Sequence, residues 1–183
     1  MKTLVYIATT KALENAETFS SLYKTVPKYR QKKIDTYKTD KEKRLCLGVG
    51  LLLSRALKEN EINESLLELS HKDNGRPFFK ERPDIYFSLS HSEERVMCSI
   101  SDQPIGCDVE IIKEDSDKDV VNWTKMECYA KASDTNMMDL INGKAFYSKE
   151  YSFKEIELND GYRYVICSKC PIEENQIIRL ESF

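Results

Sequence analysis

Residues 104–110 read PIGCDVE and lie in an apolar stretch that predicts a β-strand. Because side chains two positions apart on a strand share a face, Asp108 and Glu110 are expected to project together. Two carboxylates so close repel each other unless a cation lies between them, and Mg²⁺ is the natural candidate because it takes oxygen ligands. Gly106 would leave room for close approach at this site. The alternative is a strand whose two acids simply face water.

The pattern outside this stretch favours an α+β fold, since helices are followed by antiparallel strands twice over. The predicted strands are residues 2–8, 67–71, 85–91, 96–101, 105–112, 145–147, 150–158, 162–168 and 176–181. The predicted helices are residues 11–24, 27–36 and 41–59 with Asp40 as cap, a short one near Asn63, and one from Val120 to about Met138. The charged segment 113–119 is the expected boundary between lobes 1–112 and 113–183.

The last predicted long helix contains WTKMECYAK (123–131), in which Glu127 and Lys131 are four residues apart and share a face. A third carboxylate beside a lysine suits metal-assisted phosphoryl transfer, because the acid binds metal or takes a proton and the lysine neutralises a leaving oxygen. An ordinary surface salt bridge explains the same spacing, and spacing alone favours that simpler interpretation.

Serines flank His91 at the end of another predicted strand, FSLSHS (87–92), downstream of a turn that carries Arg76. This combination indicates an anion site, although a single histidine is more often structural. A Ser-His-Asp hydrolase is a weaker interpretation, because the chain has no GxSxG motif and only two histidines.

The formal net charge of −3 does not favour non-specific nucleic-acid binding. Residues 28–44 nevertheless contain eight Lys or Arg against three acids, which indicates either a solvated helix face or a site for a phosphate-rich ligand. The sequence has no apolar run of the length a bilayer requires and no evident signal peptide, so a cytoplasmic location is the default expectation.

Six cysteines lie scattered through apolar segments, and in a cytoplasmic protein they are expected to be buried free thiols. Cys167 and Cys170 form a single CxxC. A structural zinc site needs about four ligands, and no second CxxC or HxxxH is present, so zinc is not expected.

Taken in order, these motifs resemble those of the Sfp-type 4′-phosphopantetheinyl transferases. That family shows a Gly-Lys/Arg-Pro turn, a strand ending in Ser-His-Ser, a Gly-x-Asp-x-Glu strand, a helix with Trp/Phe-Ser/Thr-x-Lys-Glu-x-x-x-Lys, and a Gly-Tyr-x-x-Ala-Val-Cys strand. The corresponding segments here are Gly75-Arg76-Pro77, FSLSHS (87–92), PIGCDVE (104–110), WTKMECYAK (123–131) and GYRYVICS (161–168). The resemblance covers nearly the whole chain.

The resemblance implies a 4′-phosphopantetheinyl transferase fold of two similar α/β lobes in one compact, pseudo-twofold unit, with coenzyme A bound between them. It also implies an enzyme that moves phosphopantetheine from coenzyme A to a serine of an apo acyl or peptidyl carrier protein and releases adenosine 3′,5′-bisphosphate. Such a two-lobed member is expected to be a monomer. Neither a nucleic acid nor a membrane is an expected partner.

The resemblance also assigns roles to individual residues. Asp108, Glu110 and Glu127 would hold Mg²⁺ against the pyrophosphate. Glu127, or a metal-bound water, would take the serine proton, and Lys131 would stabilise the departing phosphate. The residues implied for the nucleotide end of coenzyme A are Arg44, Arg76, Ser90, His91 and Lys32.

Two features differ from the family pattern. The family has a Lys-Glu pair where this chain has Met126-Glu127, and Lys125 points about 100° away on a helix. The link from Glu110 to Trp123 is also shorter than in the family, where an additional helical segment helps to shape the carrier surface. The alternative function is a degenerate member that binds coenzyme A or a carrier without transfer. A Mg²⁺-dependent phosphohydrolase explains the acids but not the ordered motifs.

Overall fold

A computed structural model of the chain describes residues 1–72, 75–112 and 117–183, with the backbone alone for 117–119. The fold is α+β with mixed sheets. The strands are β1 (Leu4–Thr9), β2 (Leu69–His71), β3 (Pro77–Phe79), β4 (Tyr86–Ser92), β5 (Arg95–Ser101), β6 (Ile105–Ile111), β7 (Ser152–Ile156), β8 (Tyr162–Ser168) and β9 (Ile177–Leu180). The helices are α1 (Ala16–Tyr23), α2 (Lys28–Thr36), α3 (Asp40–Glu59), α4 (Asp117–Ser133) and α5 (Met137–Ile141).

The first sheet has the strand order β4-β5-β1-β9. Its β4, β5 and β1 are antiparallel, whereas β9 pairs in parallel with β1. Helix α3 covers one face of this sheet, because its apolar residues recur at helical spacing and pack on the buried strand residues. A capping box between Thr39 and Glu42 begins α3. The prediction that Asp40 caps this helix is therefore wrong by one residue.

The second sheet has the order β6-β8-β7 and is antiparallel, with Asp108 opposite Val165 and Glu110 opposite Arg163. Helix α4 packs on one face of this sheet through Cys128, Tyr129 and Ala132. The opposite face packs against β1 and β5 of the first sheet in a second apolar core. One face of β6 therefore meets a helix and the other meets a sheet.

The chain crosses between the two sheets twice. Strand β6 precedes residue 112 but pairs with β8, and β9 lies near the C-terminus but returns to β1. The two sheets share buried residues, among them Val5, Met97, Cys107 and Tyr164. The division into lobes 1–112 and 113–183 stays a prediction, and most of the charged boundary segment lies outside the described residues.

Two predicted elements of the second half differ from the structure. The single helix expected from Val120 to Met138 is two helices, because Asp134 adopts a left-handed φ of 60° after α4 and Asn136 caps α5. The strand expected at 145–147 is absent from these described residues. The segment folds back instead, since the backbone N–H groups of Lys144 and Ala145 both donate to the carbonyl of Asp139.

Five of the six cysteines are buried free thiols, and Cys170 is exposed. Within the described part of the chain, none of the helices combines the length and the apolar character needed to cross a membrane.

Candidate functional site

Three carboxylates from two elements meet on the α4 side of the second sheet. Asp108 and Glu110 on β6 and Glu127 on α4 each present one oxygen, and these oxygens lie within 4.8 Å of one another. The strand period places the two β6 acids on one face, as the sequence predicts, while Cys107 and Val109 point into the core shared by the sheets. Asp108 is only 1% exposed, so this acid is not solvent-facing.

The two oxygens of Asp108 have different surroundings. Its Oδ1 accepts hydrogen bonds from Lys131 Nζ at 2.7 Å and from Ser90 Oγ at 2.6 Å. Its Oδ2 is buried and has no hydrogen-bond partner among the described residues. Burial raises the pKa of Asp108 to about 6, against the opposing charge of Lys131. A buried oxygen without a partner, beside two further carboxylates, fits a bound hard cation such as Mg²⁺.

Lys131 connects the helix to the strand. Its Nζ lies 2.7 Å from Asp108 Oδ1 and 3.7 Å from Glu127 Oε1. Burial lowers the pKa of the Lys131 ammonium, but the carboxylates of Asp108 and Glu127 outweigh burial and hold this pKa above its ordinary value. The i,i+4 pair is therefore not an isolated surface salt bridge, because its lysine is half-buried and charged against a buried acid.

A cleft of about 500 Å³ opens beside this cluster, between the turn at Arg76, β4 and α4. Glu127 and Lys131 line it, together with Trp123. Arg76 lies in the cleft wall with its guanidinium over the ring of Tyr86 and 2.8 Å from Asp134 Oδ1. The cleft thus combines cations, one carboxylate and apolar walls.

The other predicted coenzyme A residues lie on β4, α2 and α3. Desolvation and then the Lys131 ammonium lower the pKa of His91, with a further contribution from Lys33. Lys33 is exposed on α2, next to the equally exposed Lys32 that the sequence indicates. Arg44 lines a separate cavity of about 260 Å³ and lies 3.9 Å from Glu14.

Sequence reasoning missed the reason for Gly106. A Cβ atom there would lie 2.1 Å from the carbonyl oxygen of Cys128, so the missing side chain admits the backbone of α4 rather than a ligand. Asp134 was not predicted either, because it belongs to no recognisable motif, yet it forms an ion pair with Arg76. Lys125 forms a 2.6 Å ion pair with Glu155. It therefore does not replace the lysine that the family pattern has at position 126.

The roles of the serines beside His91 were also missed, although their alternation at strand spacing was a usable signal. Ser90 donates to Asp108, and Ser92 donates to Glu110 Oε2 at 2.9 Å.

No family model matches the chain. Among curated proteins it is 30% identical over 109 residues to 4′-phosphopantetheinyl transferase Sfp of Bacillus subtilis (strain 168), which covers 60% of this chain and 48% of that protein. It is 36% identical over 98 residues to 4′-phosphopantetheinyl transferase gsp of Aneurinibacillus migulanus, or 52% of this chain and 40% of that one. It is 23% identical over 148 residues to 4′-phosphopantetheinyl transferase AcpT of Escherichia coli O157:H7, or 66% and 75%. The chain thus spans about half the length of the first of these relatives.

Proposed function

We propose that the chain is a member of the 4′-phosphopantetheinyl transferase family that transfers the 4′-phosphopantetheine group of coenzyme A to a serine of an apo acyl or peptidyl carrier protein. Adenosine 3′,5′-bisphosphate is the second product. The observation that carries the proposal is the meeting of Asp108, Glu110 and Glu127 beside a charged Lys131 at the wall of a cleft.

Asp108, Glu110 and Glu127 would hold Mg²⁺ against the pyrophosphate of coenzyme A. This ion would supply polarisation of the phosphorus and shielding of its negative charge. The buried Oδ2 of Asp108 supports the assignment, because a cation would satisfy an oxygen that has no partner in the described residues.

In the proposed reaction the carrier serine attacks the phosphorus that bears pantetheine. A new bond forms between the serine oxygen and phosphorus, and the bond from phosphorus to the bridging pyrophosphate oxygen breaks. Glu127 takes the serine proton, since it is the partly exposed carboxylate that lines the cleft. Lys131 neutralises the charge that develops on the leaving phosphate, and its raised pKa keeps it protonated for this role.

The nucleotide end of coenzyme A would lie toward the basic segment 28–44. Arg44, Arg76, His91 and Lys32 are the proposed contacts, because forked and point-charge donors both suit phosphate oxygens. Lys33 joins this group because its charge lowers the pKa of His91. Coenzyme A bound this way would extend between two lobes related by a pseudo-twofold.

The carrier protein would dock beside the cleft on the second half of the chain. Of the exposed large apolar side chains that the structure describes, five fall between residues 123 and 147, namely Trp123, Met138, Ile141, Phe146 and Tyr147. These five residues are the proposed docking surface, and Trp123 also lines the cleft of the proposed reaction site. Two exposed lysines flank Phe146 and Tyr147 in sequence, namely Lys144 and Lys149, and they suit the acidic surface common among carriers.

We place the reaction in the cytoplasm with the protein as a monomer. The five buried free thiols are consistent with a reducing compartment.

Incubation with coenzyme A, Mg²⁺ and a set of apo carrier proteins tests the proposal. Mass spectrometry should show the carrier heavier by one phosphopantetheinyl group, attached to its serine. A set that includes fatty-acid, polyketide and peptide-synthetase carriers and yields no product would overturn it.

The second candidate is a degenerate member that binds coenzyme A or a carrier without transfer. Met126 occupies the position at which the family pattern has a lysine. The neighbouring Lys125 does not supply the missing charge, because it forms an ion pair with Glu155. Coenzyme A affinity without turnover on any carrier would favour this alternative.

A further inference from the structure

The edge strands of the two sheets, β4 and β6, are joined by a row of serine side chains. Alternate residues of β4 point toward β6, and their hydroxyl oxygens accept hydrogen bonds from alternate backbone N–H groups of that strand. The pairs are Cys107 to Ser88 at 3.1 Å, Val109 to Ser90 at 3.3 Å and Ile111 to Ser92 at 3.2 Å. This serine row satisfies N–H groups on the edge of β6 that, among the described residues, has no neighbouring strand.

Two of the three serines also donate to a carboxylate. Ser90 Oγ donates to Asp108 Oδ1 at 2.6 Å, and Ser92 Oγ donates to Glu110 Oε2 at 2.9 Å. A serine hydroxyl has a single proton and accepts through its lone pairs. Each of these serines therefore donates its proton to an acid and accepts a hydrogen bond from the backbone N–H of the residue that follows that acid on β6. These two contacts restrict the orientation of the carboxylate.

Each hydrogen bond engages one carboxylate oxygen and leaves the other available. Oδ1 of Asp108 is engaged by Ser90 and Lys131, so the partnerless Oδ2 is the oxygen free for a cation. Glu110 is held in the same manner through Oε2. Partners of this kind set the orientation of metal-binding carboxylates and strengthen metal binding.

We propose that Ser90 and Ser92 are positioning residues that orient Asp108 and Glu110 toward Mg²⁺, rather than ligands of coenzyme A. The proposal rests on the metal role given to these acids in the proposed function. Ser88 is the internal reference, because its hydroxyl makes the same backbone contact with Cys107 but, in the described part of the chain, donates to the Cys107 carbonyl at 3.4 Å and to no carboxylate.

The test measures Mg²⁺ affinity by titration calorimetry of the full chain without coenzyme A. Ser90→Ala and Ser92→Ala should each weaken Mg²⁺ binding by about 10- to 100-fold, the usual cost of removing a partner of a metal ligand. Ser88→Ala should leave Mg²⁺ affinity at the wild-type value. Ser90→Thr, which keeps a hydroxyl, should restore much of the affinity lost in Ser90→Ala.

A second titration, with coenzyme A in the presence of a chelator, separates positioning from ligand contact. Unchanged coenzyme A affinity in Ser90→Ala supports positioning, whereas a loss of coenzyme A affinity with normal Mg²⁺ binding overturns it. Equal Mg²⁺ losses in all three alanine variants would also overturn it, because they would reflect only the joining of the sheets. If Ser90→Ala does not fold, the Mg²⁺ affinity of Ser92→Ala tests the positioning role instead. That variant is expected to fold because Ser92 is only partly buried.

Failure of the proposed function gives a different result. A wild-type protein that binds Mg²⁺ but modifies no carrier contradicts the transferase proposal, while the serine variants still decide the positioning role. A wild-type protein that binds no Mg²⁺ overturns the positioning role together with the metal site.

Discussion

The backbone of α4 at Cys128 lies directly against Gly106 of β6, so closely that a Cβ atom on the glycine would lie 2.1 Å from the Cys128 carbonyl oxygen. The Sγ of Cys128 in turn donates to the Gly106 carbonyl at 3.2 Å. This contact sets the distance between strand and helix. It therefore brings Glu127 and Lys131 within reach of Asp108, two residues further along β6.

Gly106→Ala should lower the free energy of unfolding by about 1–3 kcal/mol, because the helix backbone must move to admit the methyl group. Urea denaturation measures the loss. The same displacement should weaken Mg²⁺ binding, since Glu127 moves with the helix. A variant with the wild-type free energy of unfolding would show that the close contact is unimportant.

Asp108→Asn should abolish transfer and weaken Mg²⁺ binding by more than about 100-fold, since even the partners of metal ligands contribute about 10- to 100-fold. The variant should remain folded, because an amide of the same shape fills the same space and Lys131 keeps Glu127 as a carboxylate partner. Titration calorimetry, carrier mass spectrometry and a thermal unfolding curve measure the three properties. Glu155→Gln, which alters a carboxylate paired with Lys125, is the matched control and should retain Mg²⁺ affinity.

Lys131→Met should lower kcat by about 100-fold or more, because a positive charge aimed at developing negative charge contributes on that scale. Lys125→Met should leave kcat unchanged, since Lys125 is paired with Glu155 at 2.6 Å. Steady-state transfer to one carrier measures both. A comparable loss in Lys125→Met would mean that Lys125 takes the part of the lysine that the family pattern places at position 126.

Asp134→Asn should destabilise the fold at neutral pH but not at low pH. Burial raises the pKa of Asp134, but hydrogen bonds from Arg76 and Lys72 outweigh burial and hold this pKa below its ordinary value. A carboxyl with a lowered folded pKa contributes stability above its unfolded pKa and loses it as the pH falls through the folded pKa. Asparagine tolerates the left-handed backbone at this position, so the substitution changes mainly charge.

Urea unfolding of wild type and Asp134→Asn across a pH series measures this effect. The difference in free energy should be at most about 1 kcal/mol at pH 7, as for other exposed ion pairs. It should shrink as the pH falls below about 3.9, the ordinary aspartate pKa. A deficit that is the same at every pH would contradict an electrostatic cause.

Phe146→Ala should raise the KM for the carrier protein by about tenfold, or ~1.4 kcal/mol, if Phe146 is an anchor of the docking surface. Phe146 is 80% exposed, so the substitution should leave the free energy of unfolding unchanged. Coenzyme A affinity should also be unchanged. Leu66→Ala is the matched control, because Leu66 is a 71% exposed apolar residue in the first half of the chain. Equal KM values for the two variants would place docking elsewhere.

Much of the secondary structure and the carboxylate pair was predictable, because local periodicity carries that information. Alternation along β6 assigns Asp108 and Glu110 to one face, and the i,i+4 spacing places Glu127 beside Lys131. The division of the last long helix was not predictable from periodicity. It depends on a left-handed Asp134 that also holds Arg76, a residue distant in sequence.

By itself, the sequence determined which side chains share a face and in what order the motifs follow one another, and these sufficed to indicate the family. Only the tertiary structure decided what lies opposite each face. Gly106 admits a helix backbone, Ser90 and Ser92 hold the two acids of the neighbouring strand, and Lys125 turns to Glu155. The physical reason is that periodicity is a property of one element, whereas a hydrogen bond or a close backbone contact requires the packing of two elements.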